Sequence, residues 1–156
     1  MRVIANRAAP AAVPLTGITY YLMSIANLIG RNTAHRTLRG SGLSLNEWRV
    51  LRFVALAPAA LASDVIASLG IDKTTVSRAI ASLRARRLMV LTPNPEDRRE
   101  TRLSLSSAGR RLHDRYQPVD QAVDASFEKR LSRSEAATLR HLLVKLHAHA
   151  TSLSGP

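Results

Sequence analysis

Apolar positions along this chain fall mostly at helical spacing. Ile18, Tyr21, Leu22, Ile25, Leu28 and Ile29 recur every three or four residues, which predicts a first helix running from Leu15 or Thr16 towards His35 or Leu38. Its apolar face is broader than one small domain needs to cover. Glycines at positions 40 and 42 end it. Ser44 and Glu47 then have the spacing of a capping box, in which each side chain accepts the other residue's free backbone N–H. They predict a second helix carrying Trp48, Val50, Leu51, Phe53 and Val54, stopped by Pro58. The stretch from Ala57 to Ala62 is small and apolar and reads as a connection. A short helix over Ser63 to Leu69 presents Val65, Ile66 and Leu69, and Gly70 supplies the turn out of it. Asp72 is a good N-cap for the next helix, whose stripe is Val76, Ala79, Ile80 and Leu83. Two helices joined through Leu69 to Asp72 have helix-turn-helix spacing.

Beyond Leu83 the periodicity changes. Leu88 to Thr92 favours a strand, Pro93 to Glu100 is turn-rich and charged, and Thr101 to Leu105 alternates Leu103 and Leu105 with Arg102 and Ser104. The pattern predicts a two-stranded hairpin. Ser107 to Leu131 returns to helical spacing, with Pro118 inside, where a kink or break is expected. A second capping box, Ser132 with Glu135, opens a last helix striped by Leu139, Leu142, Leu143 and Leu146 and ending near His149 or Thr151. Met1 to Pro14, rich in Ala and Pro, reads as a flexible arm. The expected fold is therefore mostly α with a small β-wing. Residues 15–156 form one domain: a winged helix-turn-helix lobe over about 44–105, and a helical dimerisation lobe over about 15–38 and 107–150. Surplus apolar faces on the first and last helices predict packing against the same helices of a second copy, a homodimer.

Charge narrows the partner. The 156 residues hold 23 Lys and Arg against 11 Asp and Glu, a formal charge of +12, which favours a polyanion. The basic residues concentrate around the fourth helix and the hairpin rather than on one amphipathic helix, so double-stranded DNA is favoured over a membrane surface. No apolar run approaches the ~18 residues of a membrane span, and the first residues lack a signal-peptide core, so a cytoplasmic location is expected. With no cysteine, disulfides and thiol redox sensing are excluded.

The fourth helix has an outward face of Thr74, Thr75, Ser77, Arg78, Ala81 and Ser82. Short side chains let a backbone approach DNA, hydroxyls donate to phosphates or base edges, and an arginine can reach both acceptors of a guanine. In the hairpin tip, Asp97 stands two residues from Arg99, close enough to orient that guanidinium by a charge-assisted bond. An arginine so held can enter a minor groove.

At these residues the chain resembles the MarR family of winged-helix transcription regulators. The resemblance rests on Ile71-Asp72-Lys73-Thr74-Thr75-Val76-Ser77-Arg78 followed by Ile80 and Leu83, on Asp97-Arg98-Arg99, and on Leu105-Ser106-Ser107-Ala108-Gly109. Several motifs in order over about 50 residues are far more specific than any one alone. Arg84 and Arg87 depart from the family, which usually shows an acidic residue and a glycine before the wing. The resemblance implies a twofold dimer and DNA contacts through Lys73, Thr74, Thr75, Ser77 and Arg78 on the helix and Asp97, Arg98 and Arg99 in the wing. It also implies that small effectors, aromatic carboxylates among them, bind where the first two helices meet. Arg31 with His35, and Trp48 with Arg52, stand one turn apart there and offer cations beside an aromatic wall. Arg49 and Asn46 are alternative polar members, and Trp48 as plain core is the competing reading.

Other chemistry finds little support. His113, His141, His147 and His149 are poorly spaced for zinc: His147 and His149 point to different sides of a helix, and surface histidines are the better account. There is no glycine-rich phosphate loop, paired carboxylate set or nucleophile elbow, so neither an enzyme nor a cofactor is expected. The reading is a dimeric repressor released from a pseudo-palindromic operator by a small aromatic acid. The alternative is a winged helix serving as a protein–protein module.

Overall fold

The computed structural model describes residues 17–36, 38–97 and 99–153. The arm over residues 1–14 lies outside them. Helix α1 (Ile18–Arg36) leads to α2 (Leu45–Leu56), a short strand β1 (Ala60–Leu61), α3 (Ala62–Leu69), α4 (Lys73–Ala85), the hairpin β2 (Met89–Pro93) and β3 (Thr101–Leu105), and then α5 (Ser107–Glu128) and α6 (Arg133–Leu153). No helix among the described residues is long and apolar enough to cross a membrane.

Helix starts follow the capping chemistry. Ser44 N–H donates to Glu47 Oε2 at 2.6 Å and Glu47 N–H to Ser44 Oγ at 3.2 Å; Ser132 and Glu135 make the same reciprocal pair at 2.7 and 3.3 Å. Gly70 closes α3 in the left-handed region, φ 58° and ψ 35°, a conformation without steric cost only for glycine. The buried faces of α2, α3 and α4 then converge. Trp48, Leu51, Val54, Val65, Val76 and Leu83 form one cluster with Met89 and Leu103 from the sheet, so the winged lobe has its own core.

Residues 57–62, expected to be a plain connection, include a strand. Ala59 takes φ 66° after Pro58, its N–H donates to the Leu103 carbonyl at 2.9 Å, and Ala60 and Leu61 then pair antiparallel with Leu103 and Arg102. The wing is thus part of a three-stranded sheet in the order β1-β3-β2 rather than a lone hairpin, with Met89 opposite Leu105 and Pro93 opposite Thr101. Two residues are too few to alternate, which is why β1 leaves no periodic signature.

The turn before the wing forms despite its arginines. Arg87 occupies the left-handed region at φ 56°, Arg87 N–H donates to Arg84 O at 2.8 Å, and Leu88 N–H reaches Leu83 O at 2.9 Å. Helix α5 follows closely: Ser106 N–H donates to Leu88 O at 3.1 Å and Ser106 Oγ to Arg87 O at 2.7 Å. Gly109, on the first turn of α5, lies so near β2 that a Cβ there would stand 2.0 Å from the Leu88 carbonyl oxygen.

Pro118 does not break α5, which runs as one helix from Ser107 to Glu128. Pro118 and Asp114, whose carbonyl loses its usual partner four residues on, are both exposed, so water can take that hydrogen bond. His113 is not a surface residue. It is buried, its ring stacks on Trp48 with centroids 5.9 Å apart, and Nδ1 lies 3.0 Å from Asp114 Oδ1. His141 and His149 are exposed, and His147 Nε2 lies 3.0 Å from the Ser68 carbonyl oxygen. No cluster of three or more His, Cys, Asp or Glu among the described residues is placed to hold a metal.

Outside the winged lobe the helices are thinly covered. None of the residues of α6 is buried, and Leu139, Leu142, Leu143 and Leu146 are exposed, as are Tyr20, Tyr21, Met23, Ile25 and Leu28 on α1.

Candidate nucleic-acid interface and effector cleft

Asp72 fixes where α4 begins. Its Oδ1 accepts the Thr75 N–H at 2.9 Å, and bonds from Thr75 hold the Asp72 carboxyl below the usual aspartate range. The exposed face of α4 carries Lys73, Thr74, Ser77, Arg78 and Ala81, with Thr75 half-buried beside them. Ser82 departs from the expected outward face. It is half-buried, and its hydroxyl donates to Glu47 Oε1. One turn on, Arg86 donates to the carbonyls of Gly42 at 2.8 Å and Ser41 at 3.0 Å. The two contacts brace the second half of α4 against the start of α2.

Burial pushes the Glu47 carboxyl up, but hydrogen bonds from Ser82 and Ser44, with Arg86 near, outweigh it and leave the value below the ordinary glutamate range. A depressed folded pKa stabilises the fold above the unfolded value of about 4.3 and loses that contribution as pH falls through the folded value. Ser82→Ala should therefore destabilise the protein at neutral pH, with the gap from wild type narrowing as the solution is acidified. Urea unfolding of both proteins across that range checks this, and a gap independent of pH would remove the charge from the account.

In the wing, Asp97 acts on backbone rather than on a guanidinium. Its Oδ1 accepts the Arg99 N–H at 2.9 Å, a local turn bond available to Asp wherever the second residue on has a free N–H. Arg99 is exposed, while Arg98 lies outside the described residues. The loop is closed by Asn94, buried at the strand end and not singled out from the sequence: its N–H donates to Glu100 O at 3.0 Å, and its Oδ1 accepts Arg102 Nε at 3.0 Å. The visible signal for it was an Asn just after a strand-favouring run. Between α4 and the wing runs a groove of about 790 Å³, with Ser77, Ala81 and Arg84 on one wall and Arg99 and Thr101 on the other. Ser77 and Ala81 of the helix face thus share a groove with the wing arginine, while Arg78 lines a separate pocket with Ser44, Asn46 and Thr75.

A second cleft, about 610 Å³, lies between α1, α2 and α5. Arg31, Trp48 and Arg52 line it, with Arg49, Thr33 and Asp120; His35 is exposed and is not among its lining residues. Trp48 is core as well as lining. It is 1% exposed, with Tyr116 edge-on at 6.3 Å and His113 stacked against it, so it forms a floor rather than an open wall. Its Nε1–H donates to Asp120 Oδ2 at 2.9 Å, and Arg52 Nη1 donates to the same oxygen at 2.9 Å. Arg52 Nη2 stands 3.5 Å from Asp124, and Arg49 Nη2 donates to the Leu69 carbonyl at 3.1 Å. Asp120 was not singled out from the sequence. It lies 68 residues from Arg52 and 72 from Trp48, a separation that no local pattern bridges.

Known proteins share sequence and fold with this chain. Residues 41–100, from the end of the first loop through the wing tip, match the MarR family. Over those residues the chain is MarR-like. The chain is 27% identical over 84 residues to the HTH-type transcriptional repressor NicR of Pseudomonas putida, a match covering 54% of this chain and about half, 53%, of that repressor. The fold agrees over more of the chain. BpsR of Bordetella bronchiseptica, in a structure concerned with regulation of its DNA binding by 6-hydroxynicotinic acid, is 26% identical with a TM-score of 0.68, covering 82% of this chain and 97% of that one. The transcriptional regulator SlyA superimposes with a TM-score of 0.78 at 18% identity, covering 88% and 96%. The shared fold therefore extends well beyond residues 41–100.

Proposed function

We propose that this protein is a homodimeric transcription regulator of the MarR family, a repressor that binds a pseudo-palindromic operator and leaves it when a small aromatic acid fills the cleft between α1, α2 and α5. The observation that carries the DNA reading is the exposed face of α4, short, mostly hydroxylic side chains around Arg78, of which Ser77 and Ala81 line the same groove as Arg99 of the wing. Lys73, Thr74, Thr75, Ser77 and Arg78 enter the major groove. Arg99, with Arg98 beside it in sequence, follows the minor groove, and Asp97 sets the turn that presents them. The uncovered apolar faces of α1 and α6 support the dimer, since apolar surface of that extent gains by pairing. The relative whose DNA binding is regulated by 6-hydroxynicotinic acid supports an aromatic carboxylate as the class of effector. Arg31 and Arg52 provide the cations.

Footprinting on operator DNA tests the reading. A twofold dimer placing two α4 helices on one face of the duplex protects half-sites about one turn, roughly 10 bp, apart. Its affinity falls steeply with salt, with a slope near −0.9 for each phosphate neutralised. A monomer protecting a single asymmetric site would overturn the dimer. Weak binding indifferent to sequence would favour the winged lobe as a protein–protein module.

A further inference from the structure

We infer that Asp120 is an internal competitor for the effector: it occupies, on Arg52, the place that an incoming carboxylate takes, and its displacement is the event that releases the operator. The inference rests on the reading of the α1, α2 and α5 cleft as the effector site. Three observations lead to it. Both terminal nitrogens of Arg52 are turned to acids, Nη1 to Asp120 at 2.9 Å and Nη2 towards Asp124 at 3.5 Å. The face of the guanidinium fork that binds a carboxylate through two parallel bonds is therefore already engaged, and a ligand carboxylate gains it only by displacing one acid or both. The two ends of the pair also differ in access. The Arg52 side chain is 44% exposed and opens into the cleft, whereas that of Asp120 is 6% exposed and is held from below by Trp48 Nε1–H. Arg52 can turn towards a ligand while Asp120 stays.

The third observation is where the pair sits. Trp48 and Arg52 belong to α2, and Asp120 to α5, so one carboxylate oxygen ties the winged lobe to the long helix that leaves it. Helix α2 is in turn fastened to α4 by the Ser82 to Glu47 bond. A ligand that takes Arg52 removes one donor joining α2 to α5 without touching the brace between α2 and α4. The hold of α2 on α5 is then loosened, and the effector acts through its different affinities for the tied and untied arrangements. The chemistry selects the ligand. A carboxylate can replace Asp120 on Arg52, but a neutral isostere cannot, so an aromatic amide leaves the tie intact.

The probes are 6-hydroxynicotinate, benzoate and its neutral isostere benzamide, titrated calorimetrically into the full-length wild type, Asp120→Asn, Arg52→Gln and the double variant, with operator affinity measured in parallel. Asparagine keeps an acceptor for Trp48 Nε1–H, and Arg52 is exposed enough for glutamine to be tolerated. Relieved of competition, Asp120→Asn should bind the acids roughly tenfold more tightly than wild type and hold operator more weakly without any ligand. In the Arg52→Gln background Asp120→Asn should make no difference to acid binding, and Arg52→Gln should no longer prefer benzoate to benzamide. Equal tightening by Asp120→Asn with and without Arg52 would reduce its role to the general field of the cleft and overturn the inference while leaving the effector site standing. Unchanged acid affinity in Asp120→Asn would do the same. If neither acid binds wild type or any variant, the effector reading falls and this inference with it. Should Asp120→Asn fail to fold, Arg52→Gln decides alone: retained preference for benzoate, with normal operator release, overturns it.

Discussion

Gly109→Ala is expected to destabilise the protein by about 3 kcal/mol, at the upper end of what overpacking a well-ordered site costs. A Cβ at this position meets the Leu88 carbonyl oxygen at 2.0 Å and its carbon at 3.0 Å, and both are backbone atoms. No rotamer change relieves such a clash. Leu88 cannot retreat cheaply either, because its carbonyl accepts the Ser106 N–H and its own N–H is bound to Leu83 O. Moving it would open the junction of α4, β2 and α5 together. Gly30→Ala is the control: its Cβ would meet only Leu45 Cδ2, at 3.1 Å, the end of a flexible side chain. Urea unfolding of the two variants at one protein concentration separates them, and matching midpoints would show that α5 can shift off β2 without penalty.

The second large effect is on DNA. Arg78→Ala should lose ~1–3 kcal/mol of discrimination at one base pair of each half-site, as expected for an arginine that engages both acceptors of a guanine. Arg99→Ala should lower affinity in a way that follows minor-groove width, strongest on A-tract flanks, because a narrow groove concentrates negative potential around an inserted cation. A panel of operators scrambled position by position, titrated with both variants, tells the two apart. Equal loss for Arg78→Ala on every sequence would leave it a phosphate contact only.

How much of this was legible in the sequence depended on the range of the interaction. Ser44 with Glu47, Ser132 with Glu135, and Asp72 with the N–H of Thr75 are bonds over three residues, and each forms as its spacing implied. The stripe Val76, Ala79, Ile80 and Leu83 is buried because helical periodicity alone puts those positions on one side. Long-range partners had no such signature. Ser82 was read as outward because its place on the helical wheel borders the exposed face, and only Glu47, 35 residues earlier, turns it inward. His113 looked like one more surface histidine until Trp48 covered it. Asp97 was read for its charge, yet a free backbone N–H two residues away lay closer to hand than a long guanidinium. The cleft shows the same limit: the family resemblance pointed to where α1 and α2 meet, while the acid that engages Arg52 arrives from α5.

The strand order bears on self-association of the sheet. With β3 in the middle, β1 and β2 are its edges, and an open edge offers unpaired N–H and C=O groups to any strand that drifts alongside; β1, at two residues, offers little, which leaves β2. Here the edge is only five residues long and ends in Pro93, which has no N–H to offer. Beyond Pro93 the chain leaves the ladder for the turn that Asn94 closes, so little strand is left for a second wing to pair with. The shortness of the edge and its terminal proline thus guard the sheet against fibrillar self-association.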